Sequence, residues 1–266
     1  MAYVHGYEDR EAARLRDQAG ALVDLLHDGT RYPAGATVLE AGCGVGAQTV
    51  TLAARSPQAR ITAIDVSAAS VAEAERRVTA AGHANVAFRQ ADLFDLPFAP
   101  ASFDHVFLCF VLEHLPDPVT ALRRLLEVVR PGGSVTVIEG DHGSAYFHPD
   151  SPAARAAIGC QIELQARAGG DALIGRRLYP LLVAAGVADV RVAPRTVYVD
   201  GSRPDLVEGF TRRTFTAMIE GVREPALAAG LSDAAAFDAG VRDLHRAAEP
   251  DGVFNYTFFK AVGRRA

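Results

Sequence analysis

Long apolar runs are missing from this 266-residue chain. No stretch approaches the ~18 consecutive apolar residues of a membrane-spanning helix, so no span is expected. Cysteine is scarce: Cys43, Cys109 and Cys160 have neither metal-ligand spacing nor the pattern of a disulfide framework. That leaves no metal site to assign. Lysine is scarcer still. Lys260 is the only one, arginine carrying nearly all the positive charge, a bias that fits a GC-rich coding sequence and carries no functional message. Basic runs are absent as well. Arg176-Arg177, Arg212-Arg213 and Arg264-Arg265 are isolated pairs in a chain of net charge −5, which gives nothing to track a nucleic-acid backbone. The opening MAYVHGYEDRE lacks the basic-then-apolar order of a secretory signal, so a cytoplasmic setting is expected. The length and the 49% hydrophobic, 22% charged composition suit one α/β core with appendages.

Against that background, one segment stands out. Val38 to Thr49 reads VLEAGCGVGAQT, an apolar strand ending in Glu40, three alternating glycines, then a helix from Gln48 to Arg55. Ala41, Gly42 and Gly44 would offer bare main chain to a ligand, because glycine turns sharply and has no Cβ to hold a ligand off. The helix start brings free N–H groups to the same place. The spacing is G-x-G-x-G, not the G-x-G-x-x-G of dinucleotide folds. A pyrophosphate is a poor guest beside Glu40, whereas a ligand carrying an ammonium and a sulfonium suits it. This arrangement resembles the first motif of class I S-adenosylmethionine-dependent methyltransferases.

Three further markers follow in order. RITAIDV reads as a buried parallel strand ending in Asp65, about 20 residues past the glycine turn, where an acid can accept from both ribose hydroxyls. The alternative for Asp65 is a cap on the next helix, whose N-cap is Ser67. RQADLFDLPF resembles the family segment whose aspartate holds the adenine amine, which implies Asp92 for the amine, with Leu93, and Val66 after Asp65, along the nucleoside. An Asx-turn is the plainer reading of Asp92. SFDHVFLCFVLEHLPDP reads as the central strand, and the resemblance implies that the backbone at Cys109 faces the methionine portion of S-adenosylmethionine. It lacks the N/D-P-P-aromatic sequence of nucleic-acid amino methyltransferases, which points to a small-molecule acceptor. RPGG, Arg130 to Gly133, is read as a helix terminator before a strand from Ser134 to Glu139.

The resemblance implies an α/β, doubly wound, seven-stranded and mostly parallel sheet of order 3-2-1-4-5-7-6, with helices on both faces. Residues 1–33 are expected to form an N-terminal lid helix, amphipathic over 8–27. Tyr7 and Gln18 in it either lie near the cofactor or anchor the helix on the core. Residues 34–200 and 253–266 are assigned to the cofactor-binding core, and 201–252 to a helical insertion, either a cap over the substrate or a dimerisation element. Methyl transfer is an in-line displacement in which the cofactor supplies the electrophile, so the protein needs only to align an acceptor and manage a proton. Candidates for that proton are His142, Glu113 and His114, with Asp141 beside them. Binding of S-adenosylmethionine without methyl transfer is the alternative function.

Overall fold

The computed structural model of the protein describes residues 22–266, so Tyr7 and Gln18 lie outside the described residues. Residues 22–27 are helical (α1). The chain continues through β1 (Thr37–Ala41), α2 (Ala47–Arg55), β2 (Arg60–Asp65), α3 (Ala68–Ala80) and β3 (Val86–Gln90). It goes on to β4 (Phe103–Cys109), a 3-10 turn (Leu112–His114), α4 (Pro118–Val128) and β5 (Val129–His148). Next come α5 (Pro152–Arg167), α6 (Leu178–Ala185) and β6 (Val187–Asp200), then a helical stretch, then β7 (Val253–Arg265). The sheet order is β3-β2-β1-β4-β5-β7-β6, as expected. β1 pairs in parallel with β2 and β4, β2 with β3, and β4 with β5. Thr257 N–H donates to Ser144 Oγ while Arg265 donates to the Val129 carbonyl, so β7 runs against β5.

Two compact units share the chain. One comprises Val23–Glu139, Ile174–Pro194 and Phe259–Ala266; the other includes Gly140–Leu173 and Arg195–Phe258. β5, β6 and β7 run through both. The first unit has a core of strand residues such as Leu39, Val106, Leu108, Val135 and Val137 against Leu122 and Leu125 of α4 and Leu178 and Leu182 of α6. Burying each such side chain fully is worth roughly 1.5–3 kcal/mol. Ala121, Leu122, Leu125 and Val128 are the buried residues of α4, and Asp117 caps the helix by accepting the Thr120 N–H at 2.9 Å.

RPGG lies just past the end of α4, where proline cannot continue a helix, and it also falls inside the next strand. The helix ends at Val128, and β5 begins at once. Phe103 pairs with Val129 and His105 with Ser134, so residues 130–133 bulge out opposite Asp104 alone. A bulge bends its strand and leaves the extra residues unpaired. Arg130 closes it with a 2.5 Å ion pair to Asp104, whose carboxylate also accepts the Thr37 N–H at 2.7 Å. A Cβ on Gly133 would lie 2.5 Å from the Asp104 carbonyl oxygen, which is why glycine stands there.

In the second unit α5 lies against α10 (Ala234–Arg246), with Gly240 too close to the Ala153 carbonyl for any side chain. Ser151 caps α5, its hydroxyl accepting the Ala154 N–H. The helical insertion is built of several short helices. α7 (Pro204–Leu206) leads into a π-helix (Val207–Thr216), then α8 (Ala217–Gly221), α9 (Arg223–Ala228) and α10. The π period shows in its side chains: Thr214 Oγ1 donates to the Gly209 carbonyl at 2.7 Å, and Arg213 Nε donates to Glu208 at 2.9 Å, both five residues apart. Phe210 and Phe215, also five apart, both meet the strand aromatics Phe254 and Tyr256. Phe147, Phe210 and Phe215 are core; Tyr146 and Tyr179 are exposed.

Candidate active site

The glycine loop follows from β1 running out of partners. Beyond Ala41, the Gly42 and Cys43 N–H groups both turn back to the Ile64 carbonyl, at 2.8 and 2.9 Å. Gly42, Gly44 and Gly46 all have positive φ, at 79°, 50° and 77°. Their reasons differ. A Cβ at Gly42 would lie 2.6 Å from Val111 Cγ2, and one at Gly46 would lie 2.8 Å from the Cα of Ala74 on α3. At Gly44 a Cβ would meet nothing within 4 Å, so that glycine faces open space.

The sheet register brings the acids to one edge. Glu40 lies beside Ala63 and Phe107, Asp65 beside Gln90, and Cys109 beside Ile138. Glu40, Asp65 and Cys109 thus stand at the carboxyl ends of adjacent strands, with Asp92 two residues beyond the end of β3. Asp65 serves the protein with both oxygens: Oδ2 accepts the Gly44 N–H at 2.9 Å and Oδ1 accepts the Ser67 N–H at 2.9 Å. It ties the glycine loop to the start of α3, whose N-cap is Ser67, accepting the Ser70 N–H. Val66 next to it is 60% exposed. Asp92 is exposed and accepts the Phe94 N–H at 2.9 Å, the Asx-turn that was its plainer reading, and Leu93 is buried.

Glu40 is buried, and its Oε2 has no hydrogen-bond partner. Burial pushes its carboxyl up to about 7, against the pull of the Thr49 hydroxyl and with the Asp65 charge adding to the rise. Burial likewise raises the Cys109 thiol well above its usual range, and the carboxylates of Glu139, Glu40 and Glu113 add to that, so the sulfur is a neutral wall and no nucleophile. An orphaned buried carboxylate oxygen beside an open glycine loop is a site short of a cation. Glu113 is buried on the 3-10 turn, with its Oε1 3.6 Å from His114 Nε2.

His142 belongs to the other unit. It is buried, its Nδ1 is 2.7 Å from the Tyr256 hydroxyl, and its ring lies edge-on to Phe215. Asp141 accepts the Gly143 N–H. Within one unit, therefore, the structure gathers Glu40, Ala41, Gly42, Gly44, Asp65, Val66, Asp92, Leu93, Cys109, Glu113 and His114. Sequence reasoning missed Glu139. It is fully buried, and its Oε1 accepts the Val111 and Leu112 N–H groups at 3.0 and 2.8 Å. The available signal was an acid at the carboxyl end of a strand that is otherwise apolar.

Residues 38–133 match the model of a methyltransferase domain. Over those residues the chain is similar to methyltransferase domains. Among curated proteins, it is 34% identical over 215 residues to an uncharacterized 37.1 kDa protein in transposon TN4556 of Streptomyces fradiae, covering 80% of this chain and 61% of that protein. To the 27-O-demethylrifamycin SV methyltransferase of Amycolatopsis mediterranei it is 34% identical over 134 residues, covering 50% of this chain and 49% of that one. The chain thus spans less than two thirds of the length of these relatives. The methyltransferase domain also has the fold of Haemonchus contortus phosphoethanolamine N-methyltransferase 2, solved with phosphomonomethylethanolamine and S-adenosylhomocysteine. That likeness has a TM-score of 0.61 at 16% identity and covers 100% of this chain and 61% of that one. No helix among the described residues is long and apolar enough to cross a membrane, and no group of His, Cys, Asp or Glu among them could hold a metal ion.

Proposed function

We propose that this chain transfers a methyl group from S-adenosylmethionine to a small-molecule acceptor and releases S-adenosylhomocysteine. The observation that carries the reading is the buried, unpartnered Oε2 of Glu40 beside a glycine loop whose middle glycine opens on empty space. A cationic ligand would stabilise that carboxylate in its ionised form; an anionic nucleotide would not. In this reading Glu40 faces the cationic methionine end, with the main chain of Ala41, Gly42 and Gly44 and the wall at Cys109. Asp65 accepts from the ribose hydroxyls with the lone pairs its backbone donors leave. Val66 and Leu93 cover the adenine, and Asp92 takes its amine.

When bound, the cofactor supplies the electrophilic methyl group. The chain's own tasks are to exclude water, to hold the acceptor in line, and to take its proton. Glu113, His114 and His142 are the candidates for the proton. Residues 201–252 serve as the acceptor's cap, with a homodimer contact as the second role for the same stretch. Three free, buried cysteines suit a reducing, cytoplasmic setting.

The test is calorimetric titration with S-adenosylmethionine, followed by product analysis. Micromolar binding, weakened at least tenfold in Asp65→Ala, is expected; wild-type affinity in that variant refutes the site. Turnover of an acceptor without S-adenosylhomocysteine would favour the alternative, a protein of this fold that binds the cofactor for another purpose.

A further inference from the structure

The turn that leaves β4 is under strain. Phe110 has φ 60°, a left-handed conformation that costs a non-glycine residue about 1–2 kcal/mol. Its N–H reaches the Ile138 carbonyl at 2.9 Å, the last bond before the chain departs from β5. The next two N–H groups, of Val111 and Leu112, lie beyond the strand ladder in a buried place. Left unpaired, each would cost roughly 1–3 kcal/mol. Glu139 Oε1 accepts both, at 3.0 and 2.8 Å.

Val111 in turn is the floor of the glycine loop. Its side chain fills the space in which a Cβ on Gly42 would sit, at 2.6 and 3.0 Å from Cγ2 and Cγ1. Gly42 and Cys43 are tied from their other side to the Ile64 carbonyl. The loop is therefore held between β2 and Val111, and Val111 is held by Glu139.

We propose that Glu139 is a positioning residue for cofactor binding: it fixes the turn after β4, and through Val111 the path of the glycine loop, without touching the ligand. The inference rests on the cofactor reading above. Burial, followed by the like charge of Glu113, raises the Glu139 carboxyl well above its usual range against the pull of its backbone donors. Glutamine in its place keeps an accepting oxygen for the two N–H groups and carries no charge.

The experiment is calorimetric titration of wild type, Glu139→Gln, Glu139→Ala and Val111→Ala with S-adenosylhomocysteine, with thermal melts of each. Leu122→Ala serves as a control for simple loss of core stability. Glu139→Gln is expected within about threefold of wild-type affinity, whereas folded Glu139→Ala and Val111→Ala should bind at least tenfold more weakly. Leu122→Ala should melt lower with its affinity unchanged. Wild-type affinity in folded Glu139→Ala overturns the inference, and so does wild-type affinity in Val111→Ala should Glu139→Ala fail to fold. Equal losses in Glu139→Gln and Glu139→Ala, or a loss in Leu122→Ala matching theirs, also overturn it. A wild-type protein that binds no S-adenosylhomocysteine fails differently, since it refutes the cofactor reading itself.

Discussion

Glu40 offers the sharpest quantitative test, because it costs the empty protein stability that a cation would restore. In the unfolded chain its carboxyl titrates near the ordinary 4.5; in the folded protein it titrates at about 7. Below pH 4.5 both states are protonated, and nothing is lost. As pH rises the unfolded chain ionises first, so stability falls through this window and levels off once the folded group has ionised too. At ~1.36 kcal/mol per pKa unit the full cost is about 3 kcal/mol. Glu40→Gln removes that cost. In circular-dichroism melts at pH 8 the variant is expected to melt higher than wild type by roughly 6–12 °C, given ~2–4 °C per kcal/mol for a chain of this size. At pH 5 the two should nearly coincide. Binding should go the other way, with S-adenosylmethionine held more weakly by the variant and wild-type binding tightening from pH 5 to 7.5 as a proton is released. A variant melting at or below wild type at pH 8 would refute the reasoning, since Glu40 would then be paired or solvated in the empty protein.

Two other substitutions separate stability from binding. Gly42→Ala should cost about 2–5 kcal/mol, the left-handed strain plus a collision with Val111, and denaturant unfolding would read it; Gly44→Ala should cost only the strain, ~1–2 kcal/mol, so equal losses would refute the assignment of open space at Gly44. Gly133→Ala should lower the melting temperature by several degrees with S-adenosylhomocysteine affinity intact, because its Cβ meets the Asp104 backbone in the bulge and not the cleft.

Much of this architecture was legible. The acids at the strand ends, Glu40 and Asp65, and the N-cap Ser67 follow from local pattern, and the sheet order follows from the resemblance that VLEAGCGVG carries. What escaped depends on distant neighbours. RPGG has the composition of a helix stop, and only the register of β5 against β4 makes it a bulge. The π-helix escaped because Phe210, Phe215 and the residues around them satisfy a helical period well enough, and the choice of five over four is made by the aromatics of β7. Glu139 showed in the sequence only as an acid ending an apolar run, with no sign of what it holds. Its partners Val111 and Leu112 are main-chain groups, which leave no mark in a sequence.

The interleaving of the two units has a practical consequence for dissection by cloning. Neither unit is a contiguous stretch of gene, so no single cut yields half a molecule able to satisfy its own strands. Trimming residues 259–266 alone would take Ala261 and Lys260, with its bonds to Asp28 and Thr30, out of one unit, while the segment just before them belongs to the other. Activity mapped by truncation would therefore report collapse of the whole, and point substitutions are the tool that can tell its parts apart.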